Sequence, residues 1–162
     1  MKDIIHIKIN DIQAEHKNIH KRYEYYRRLL VPYGYAGQCK VNVYEIPPGK
    51  SAYHYHSQNE EVFFILSGNG LLRTPKGEKN VSAGDFLFFP ANENGAHKLT
   101  NTSEIDMLIY LDFDTENKLD VAIYPDSGKI GIWGNNIDKV FRINQEVDYY
   151  DGEWSKTNIW FK

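Results

Sequence analysis

Three histidines and one glutamate in the middle of the chain have the side-chain types that bind first-row transition metals: His54, His56, Glu61 and His97. Side chains at positions i and i+2 of a β-strand share a face, so the His54-Tyr55-His56 sequence directs two imidazoles into one space. Only a folded sheet can bring the distant His97 to them. On a five- or six-coordinate ion, this ligand set leaves a position open, which predicts Lewis-acid or dioxygen chemistry.

Turn-forming residues divide the centre of the chain into short segments, and this pattern predicts a sandwich or barrel of β-strands. Glycine and asparagine tolerate positive φ and proline presets φ, so these segments predict turns: Pro47-Pro48-Gly49, Gly68-Asn69-Gly70, Thr74-Pro75-Lys76-Gly77, Ala83-Gly84-Asp85, Asn92-Glu93-Asn94-Gly95 and Pro125-Asp126-Ser127-Gly128. The predicted strands are Cys39 to Ile46, Ser51 to His56, Glu61 to Ser67, Gly70 to Thr74, Lys79 to Ser82, Phe86 to Pro90, Ala96 to Asn101, Ile105 to Asp112, Val121 to Tyr124 and Lys129 to Trp133.

The segment from Glu15 to Leu30 predicts the one helix of the chain, because it is rich in Lys, Arg, Tyr and Glu and has no strong breaker before Pro32. No internal repeat or linker is present. We therefore expect one all-β domain in three parts. These are an N-terminal extension with a short helix (1–37), a β-barrel (38–133) and a C-terminal tail that packs on the barrel (134–162).

Composition excludes several classes of protein. A chain of 162 residues with 41% hydrophobic and 25% charged residues is typical of a soluble globular domain. A net charge of -3 gives no electrostatic case for binding nucleic acid or an anionic membrane. Cys39 is the only cysteine, and no apolar run follows Met1-Lys2-Asp3. We expect a cytoplasmic protein without a signal peptide, a membrane span or an intramolecular disulfide.

The residues around the candidate ligands resemble the two sequence motifs of the cupins. The first motif has a glycine before His-x-His, then a glutamate and a second glycine, which are here Gly49, His54, His56, Glu61 and Gly68. The second has Gly-x5-Pro followed by His-x3-Asn, which are here Gly84, Pro90, His97 and Asn101. The resemblance implies a jelly-roll, or double-stranded β-helix, barrel that holds His54, His56, Glu61 and His97 around one metal ion.

The chain departs from the motifs in two loops. Four residues separate Gly49 from His54 where five are usual, and six separate Pro90 from His97 where four are usual. Asn92 also stands where a glycine is expected. Two extra residues preserve the strand parity of His97, since the side-chain period is two. The motif spacing to Gly68 selects Glu61, rather than its neighbour Glu60, as the carboxylate ligand.

Two later segments resemble a narrower group of small bacterial cupins, some of which are provisionally named sugar-phosphate isomerases. The segments are Tyr-Pro-Asp-Ser-Gly-Lys at 124–129 and Val-Asp-Tyr-Tyr-Asp-Gly-Glu at 147–153. This resemblance suggests a reaction only by analogy of fold.

Two classes of function remain open. The first is a metal-dependent enzyme that isomerises a small polar molecule or oxidises it with dioxygen, with Glu60, Tyr55 and Tyr110 as undistinguished candidates for the general acid or base. The second is a non-catalytic small-molecule binding or sensor module. Imidazole and carboxylate ligands accept Zn, Fe, Mn or Ni, and the sequence does not choose among them.

Other candidates have simpler interpretations. Arg73 and Lys98 could bind an anion at the barrel mouth, and Asp126, Ser127 and Lys129 could bind phosphate, but solvated strand faces and a type I turn explain them as well. The remaining histidines are expected at the surface and the tryptophans over the barrel: His6, His16 and His20, and Trp133, Trp154 and Trp160. Segments 60–66 and 86–89 are apolar on both faces, which together with the cupin resemblance predicts a homodimer.

Overall fold

The computed structural model describes residues 2–134 and 136–153, apart from the side chains of residues 19 and 52–54. These ranges contain thirteen β-strands: β1 (Glu15–His20), β2 (Tyr23–Leu29), β3 (Cys39–Ile46), β4 (Ser51–His56), β5 (Glu61–Ser67), β6 (Asn69–Thr74), β7 (Gly77–Ser82), β8 (Phe86–Phe89), β9 (His97–Asn101), β10 (Leu108–Thr115), β11 (Leu119–Tyr124), β12 (Lys129–Gly134) and β13 (Ile137–Arg142). Four single-turn 3₁₀ helices complete them: Ile9–Asp11, Glu93–Gly95, Pro125–Ser127 and Ile143–Gln145. No helix in these ranges has the length and apolar character needed to cross a membrane.

The strands form two antiparallel sheets. One has six strands in the order β1-β2-β3-β10-β5-β8, and the other has seven in the order β13-β12-β11-β4-β9-β6-β7. The predicted all-β class is confirmed. The predicted closed barrel is not found among the described strands, because strand pairing produces two open sheets rather than one continuous ring.

The prediction of a helix from Glu15 to Leu30 is wrong. The segment forms the hairpin β1–β2, and β2 pairs with β3 and widens the six-stranded sheet. Its tyrosines favour strands, and cross-strand contacts outweigh the helix propensity of Lys, Arg and Glu. The ring of Tyr26 stacks on His16 at 4.3 Å between centroids, and Arg27 pairs with Glu15 across the same two strands.

Most predicted strands occur with small changes at their ends. β3, β4 and β5 have the predicted bounds, whereas β10 begins three residues later than Ile105. The delay has a local cause, because the Ser103 hydroxyl accepts hydrogen bonds from the backbone N–H groups of Ile105 and Asp106 and holds a turn there. β13 was not predicted, and all of its side chains are exposed.

Alternation along the strands places apolar and site residues on the same inner faces. Glu61, Phe63 and Ile65 are the buried positions of β5. The buried positions of β9 are His97, Leu99 and Asn101. The hydrophobic core therefore lies between the two sheets, and its members are Ile46, Phe63, Ile65, Leu72, Val81, Phe89, Leu99, Leu108 and Tyr110. The candidate ligands Glu61 and His97 lie at one end of this core.

Asn101, the last residue of the second motif, connects strands of both sheets. Its side-chain amide donates to the backbone carbonyls of Ile46 and Asp106, each at 2.8 Å. Only 1% of the residue is exposed, so each of these hydrogen bonds satisfies a polar group that water cannot reach. Asn101 thereby fixes the end of β9, the strand that begins with His97.

Candidate metal centre

Strands β4, β5 and β9 bring His56, Glu61 and His97 together between the sheets. The Nε2 atom of His56 lies 3.8 Å from Oε1 of Glu61, and Nε2 of His97 lies 3.5 Å from Oε2. β4 pairs with β9 so that the backbones of His54 and His97 are opposite each other. The side chain of His54 lies outside the described residues. Glu60, the competing carboxylate, is exposed, and its backbone N–H donates to the Thr115 hydroxyl at 2.8 Å.

Each of the two imidazoles lies close to Glu61, but the three side chains are more widely spaced than the ligands of one bound ion. Both separations exceed the 2.7–3.2 Å of ordinary N–H···O hydrogen bonds. Two ligand atoms that each lie about 2.1 Å from one ion, at tetrahedral or octahedral angles, are about 3.0–3.4 Å apart. Both imidazoles would therefore have to move towards Glu61 to share one ion with it, and the donor set of nitrogen and carboxylate oxygen is one that transition metals accept.

The imidazoles of His56 and His97 are each oriented through Nδ1, the ring nitrogen that does not face Glu61. Nδ1 of His97 lies 2.9 Å from the carbonyl oxygen of Gly95, and Nδ1 of His56 contacts the carboxylate of Asp120. We assign the proton to Nδ1 in both rings because each partner can only accept, and Nε2 is then the nitrogen that faces Glu61. This arrangement is typical of metal-binding histidines, whose second nitrogen is held by a carboxylate or carbonyl.

Asp120 is a functional candidate that the sequence alone did not identify. Only 3% of it is exposed, and its second oxygen accepts a hydrogen bond from the backbone N–H of Gln58 at 3.1 Å. Burial by itself would raise the pKa of Asp120, but the hydrogen bond and charge of His56 bring it below its usual value. The side chain is therefore a carboxylate at neutral pH and a strong acceptor for His56.

The longer loop between Pro90 and His97 supplies the carbonyl that orients His97. The loop forms the 3₁₀ turn Glu93–Gly95, which begins where the Asn92 side chain accepts a hydrogen bond from the backbone of Asn94 at 2.9 Å. A Cβ atom on Gly95 would lie 2.0 Å from the carbonyl oxygen of Pro90, so only glycine fits there. The extra residues are therefore a structured turn, and they do not displace His97.

Two further carboxylates on β10 adjoin Glu61. Asp112 and Asp114 each offer an oxygen, and together with one oxygen of Glu61 these atoms all lie within 4.8 Å of one another. Asp112 accepts a hydrogen bond from the Asn42 amide at 2.9 Å. Burial, assisted by the charges of Asp112 and Glu61, raises the pKa of Asp114 to about 10. A protonated Asp114 then donates its hydrogen to Glu61 and steadies that carboxylate.

A cavity of about 260 Å³ opens beside His56 and Glu61. Tyr110, one of the three acid/base candidates from the sequence, lines it, and burial raises the pKa of its hydroxyl well above the usual value, so Tyr110 keeps its proton. Neither Tyr55 nor Glu60 is among the described residues of the lining. The alternation Tyr110, Asp112, Asp114 along β10 was a signal in the sequence that these three side chains share a face.

The other sequence candidates lie apart from this cavity. Arg73 pairs with Asp126 at 2.5 Å, and neither Arg73 nor Lys98 is among the described lining residues. Pro125–Ser127 forms a 3₁₀ turn that ends at Gly128 with φ of 57°. Trp133 hydrogen-bonds Tyr124. The three other histidines are exposed, and Trp154 and Trp160 lie outside the described residues.

Comparisons with known proteins agree with this architecture. Residues 42–113 match the family model of the cupin domain. An uncharacterized protein of Methanocaldococcus jannaschii is 33% identical over 86 residues, which are 51% of this chain and 66% of that relative. The matched segment thus spans just under two thirds of the relative's length.

Two solved structures superimpose on most of the chain. One, from Acidithiobacillus ferrooxidans and provisionally named a sugar phosphate isomerase, is 25% identical with a TM-score of 0.76, over 86% of this chain and 91% of that one. The other, a sugar phosphate isomerase of the cupin superfamily from Silicibacter pomeroyi, is 20% identical with a TM-score of 0.76, over 90% of this chain and 98% of that one. The family model and these two structures together identify a cupin domain in the chain, over residues 42–113.

Proposed function

We propose that this protein is a metal-dependent enzyme that acts on a small polar molecule. His54, His56, Glu61 and His97 are the proposed ligands of one divalent transition metal, Zn, Fe, Mn or Ni. The observation that carries the proposal is the convergence of His56, Glu61 and His97, with the second nitrogen of each described imidazole held by Asp120 or Gly95. His54 enters on the His-x-His pattern and on its backbone position opposite His97.

The reaction that we favour is isomerisation, with oxygen-dependent oxidation as the alternative. When bound, the ion supplies Lewis-acid polarisation of a substrate oxygen. Tyr110 lines the cavity and keeps its proton, so it is placed to donate a hydrogen bond or a proton to a substrate oxygen. Glu24 lines the same cavity and can accept a proton. Moving a proton from one atom of a substrate to another requires an acid that donates a proton and a base that accepts one, and this cavity holds a candidate for each.

Apolar side chains between the two sheets surround His97 and keep water away from it. The ring of His97 lies between Phe89, at 3.7 Å between centroids, and the edge of Phe63, at 5.1 Å. Apolar walls exclude water and strengthen the interaction of the imidazole with a cation. The single cysteine, the half-buried Cys39, is in keeping with the cytoplasmic location that we propose for this enzyme.

Turnover by the metal-loaded protein tests the proposed activity. The Zn, Mn and Fe(II) forms are incubated with aldoses, ketoses, their phosphate esters and small keto acids, while product composition and oxygen uptake are followed. Isomerised product without oxygen uptake is the expected result, and oxygen uptake would assign the alternative. Saturable binding without turnover of any compound would contradict an enzyme and indicate a binding module.

A further inference from the structure

The charges of the cavity suggest which substrates it accepts. Besides His56, its described lining carries four carboxyl side chains, those of Glu24, Glu61, Asp112 and Asp114, and no lysine or arginine. Even with a proton on Asp114, three carboxylates face the two positive charges of one bound ion. The described lining by itself therefore keeps a negative charge after metal binding, and it offers an anionic ligand no positive side chain apart from His56.

Two cations border the cavity wall, and each is already paired with a carboxylate. Lys50 donates to the carbonyl oxygen of Lys21 at 2.6 Å and lies 3.6 Å from Glu24, whose charge it partly balances. Arg27 pairs with Glu15 and hydrogen-bonds the hydroxyl oxygen of Tyr44. Proteins hold phosphate groups with free arginine or lysine side chains or with helix N-termini, and the described part of this chain has only single-turn 3₁₀ helices.

The carboxylates of the cavity favour a ligand that donates hydrogen bonds. Carboxylates only accept, and the buried Oδ1 atom of Asp114 has no hydrogen-bond partner. Tyr25, Tyr44 and Ser51 add hydroxyl groups that can both donate and accept. The rings of Tyr25 and Tyr44 are 5.3 Å apart between centroids and form a wall against which the C–H face of a small ring can pack.

We infer that the ligand of this site is a small hydroxyl-rich molecule without negative charge, the class of free sugars, amino sugars and polyols, and that phosphate esters are excluded. The inference rests on the proposed function, since it concerns the substrate of the same metal centre. The volume of about 260 Å³ is below the range of about 300–1,000 Å³ usual for drug-sized ligands, which suits one monosaccharide. This conclusion separates the chain from its sugar-phosphate-named structural neighbours at the level of substrate.

Matched pairs of probes test the inference. Protein with measured metal content is titrated by calorimetry, at constant ionic strength, with glucose and glucose 6-phosphate, mannose and mannose 6-phosphate, and ribose and ribose 5-phosphate. We expect at least one free sugar to bind about tenfold or more tightly than its phosphate ester, because the ester adds close to two negative charges. Glucosamine beside glucose then shows whether an amine or a hydroxyl is preferred.

A charge-neutralising variant provides the internal control. Glu24→Gln removes one negative charge from the cavity wall and should reduce the ratio of sugar affinity to phosphate-ester affinity severalfold. Glu60→Gln changes an exposed residue outside the lining and should leave this ratio unchanged. Equal or tighter binding of the phosphate esters, or no binding of any free sugar, would overturn the inference. A protein that takes up no metal would instead contradict the proposed function, so the two failures are distinguishable.

Discussion

Single residues beside the imidazoles orient His56 and His97, the proposed metal ligands. Asp120 and the Gly95 carbonyl each accept from an Nδ1 atom, and this fixes which nitrogen faces Glu61. Neither partner belongs to the cupin motifs as read from the sequence. The positions that tune the site are therefore the ones that motif spacing does not reveal.

The Asp120 carboxylate is predicted to support metal affinity through His56. Asp120→Asn replaces a charged acceptor with a neutral amide, so the imidazole becomes less basic and less firmly oriented. We expect metal affinity to fall about 10- to 100-fold, measured by competition with a chelator. Asp126→Asn is the matched control, because Asp126 pairs with Arg73 away from the cavity. The metal affinity of this variant should equal that of the parent protein.

Asp114 is predicted to make the metal-free protein less stable as pH rises. Its pKa is about 10 in the folded state, raised by burial and by its acidic neighbours, and near 4 in the unfolded state. Between these values the unfolded chain has lost the proton that the folded chain retains, so the free energy of unfolding falls with increasing pH.

Asp114→Asn should therefore stabilise the metal-free protein at neutral pH and flatten this pH dependence, as followed by urea denaturation from pH 5 to pH 9. The exposed Asp106 provides the comparison, and Asp106→Asn should keep the slope of the parent. An unchanged slope in Asp114→Asn would show that another group is responsible.

At the scale of elements, two segments differ from what local sequence suggests, for different reasons. The hairpin β1–β2 forms because its edge pairs with β3, a long-range contact that a local helix propensity cannot report. The 3₁₀ turn at 93–95 arises from the extra residues before His97, and the sequence showed only that they were turn-forming. Its function as an acceptor for His97 depends on the close approach of Gly95 to Pro90.

This turn is predicted to be sensitive to one added methyl group. In Gly95→Ala the new Cβ would overlap the Pro90 carbonyl oxygen, so the turn must shift and the hydrogen bond to His97 is weakened. We expect a metal affinity about tenfold lower and a reduced melting temperature. Gly37→Ala is the control, since that position has open space and no positive φ. Unchanged affinity in Gly95→Ala would show that the turn does not position His97.

Much of the fold, and part of the site, could be predicted from the sequence. Strands such as β3, β4 and β5 follow from alternating apolar residues between turn signals, and that same alternation brings Glu61 and His97 to the core. The partition into two open sheets, rather than a closed barrel, depends on which edges pair. Asp112, Asp114 and Asp120 were missed because alternation along a strand shows which side chains share a face, but not whether that face is buried.

At the scale of the whole molecule, the outer face of the six-stranded sheet is unusually apolar. Phe64, Phe86, Phe88 and Phe113 are exposed by 39%, 65%, 52% and 38%, and they lie on the adjacent strands β5, β8 and β10. β8 is also an edge strand, paired on one side only within the described residues. Contiguous exposed apolar surface of this kind marks an interaction site.

We propose a second copy of this chain as the occupant of that face. Two β8 edges can pair antiparallel about a two-fold axis, and homodimer interfaces are the most apolar class. The double variant Phe86→Lys with Phe88→Lys should sediment as a monomer and the parent as a dimer. Ile105→Lys is the control, since Ile105 is 85% exposed but lies in the loop before β10. A parent protein that sediments as a monomer would contradict the dimer.

The central claim is that His54, His56, Glu61 and His97 hold one metal ion, and metal stoichiometry tests it most directly. Protein purified without chelator is analysed by elemental mass spectrometry, beside Glu61→Gln and the neighbouring control Glu60→Gln. The predicted result is close to one equivalent of a transition metal in the parent and in Glu60→Gln, with loss of most of it in Glu61→Gln. A parent protein that is metal-free and cannot be loaded, or a Glu61→Gln variant that retains a full equivalent, would contradict the account.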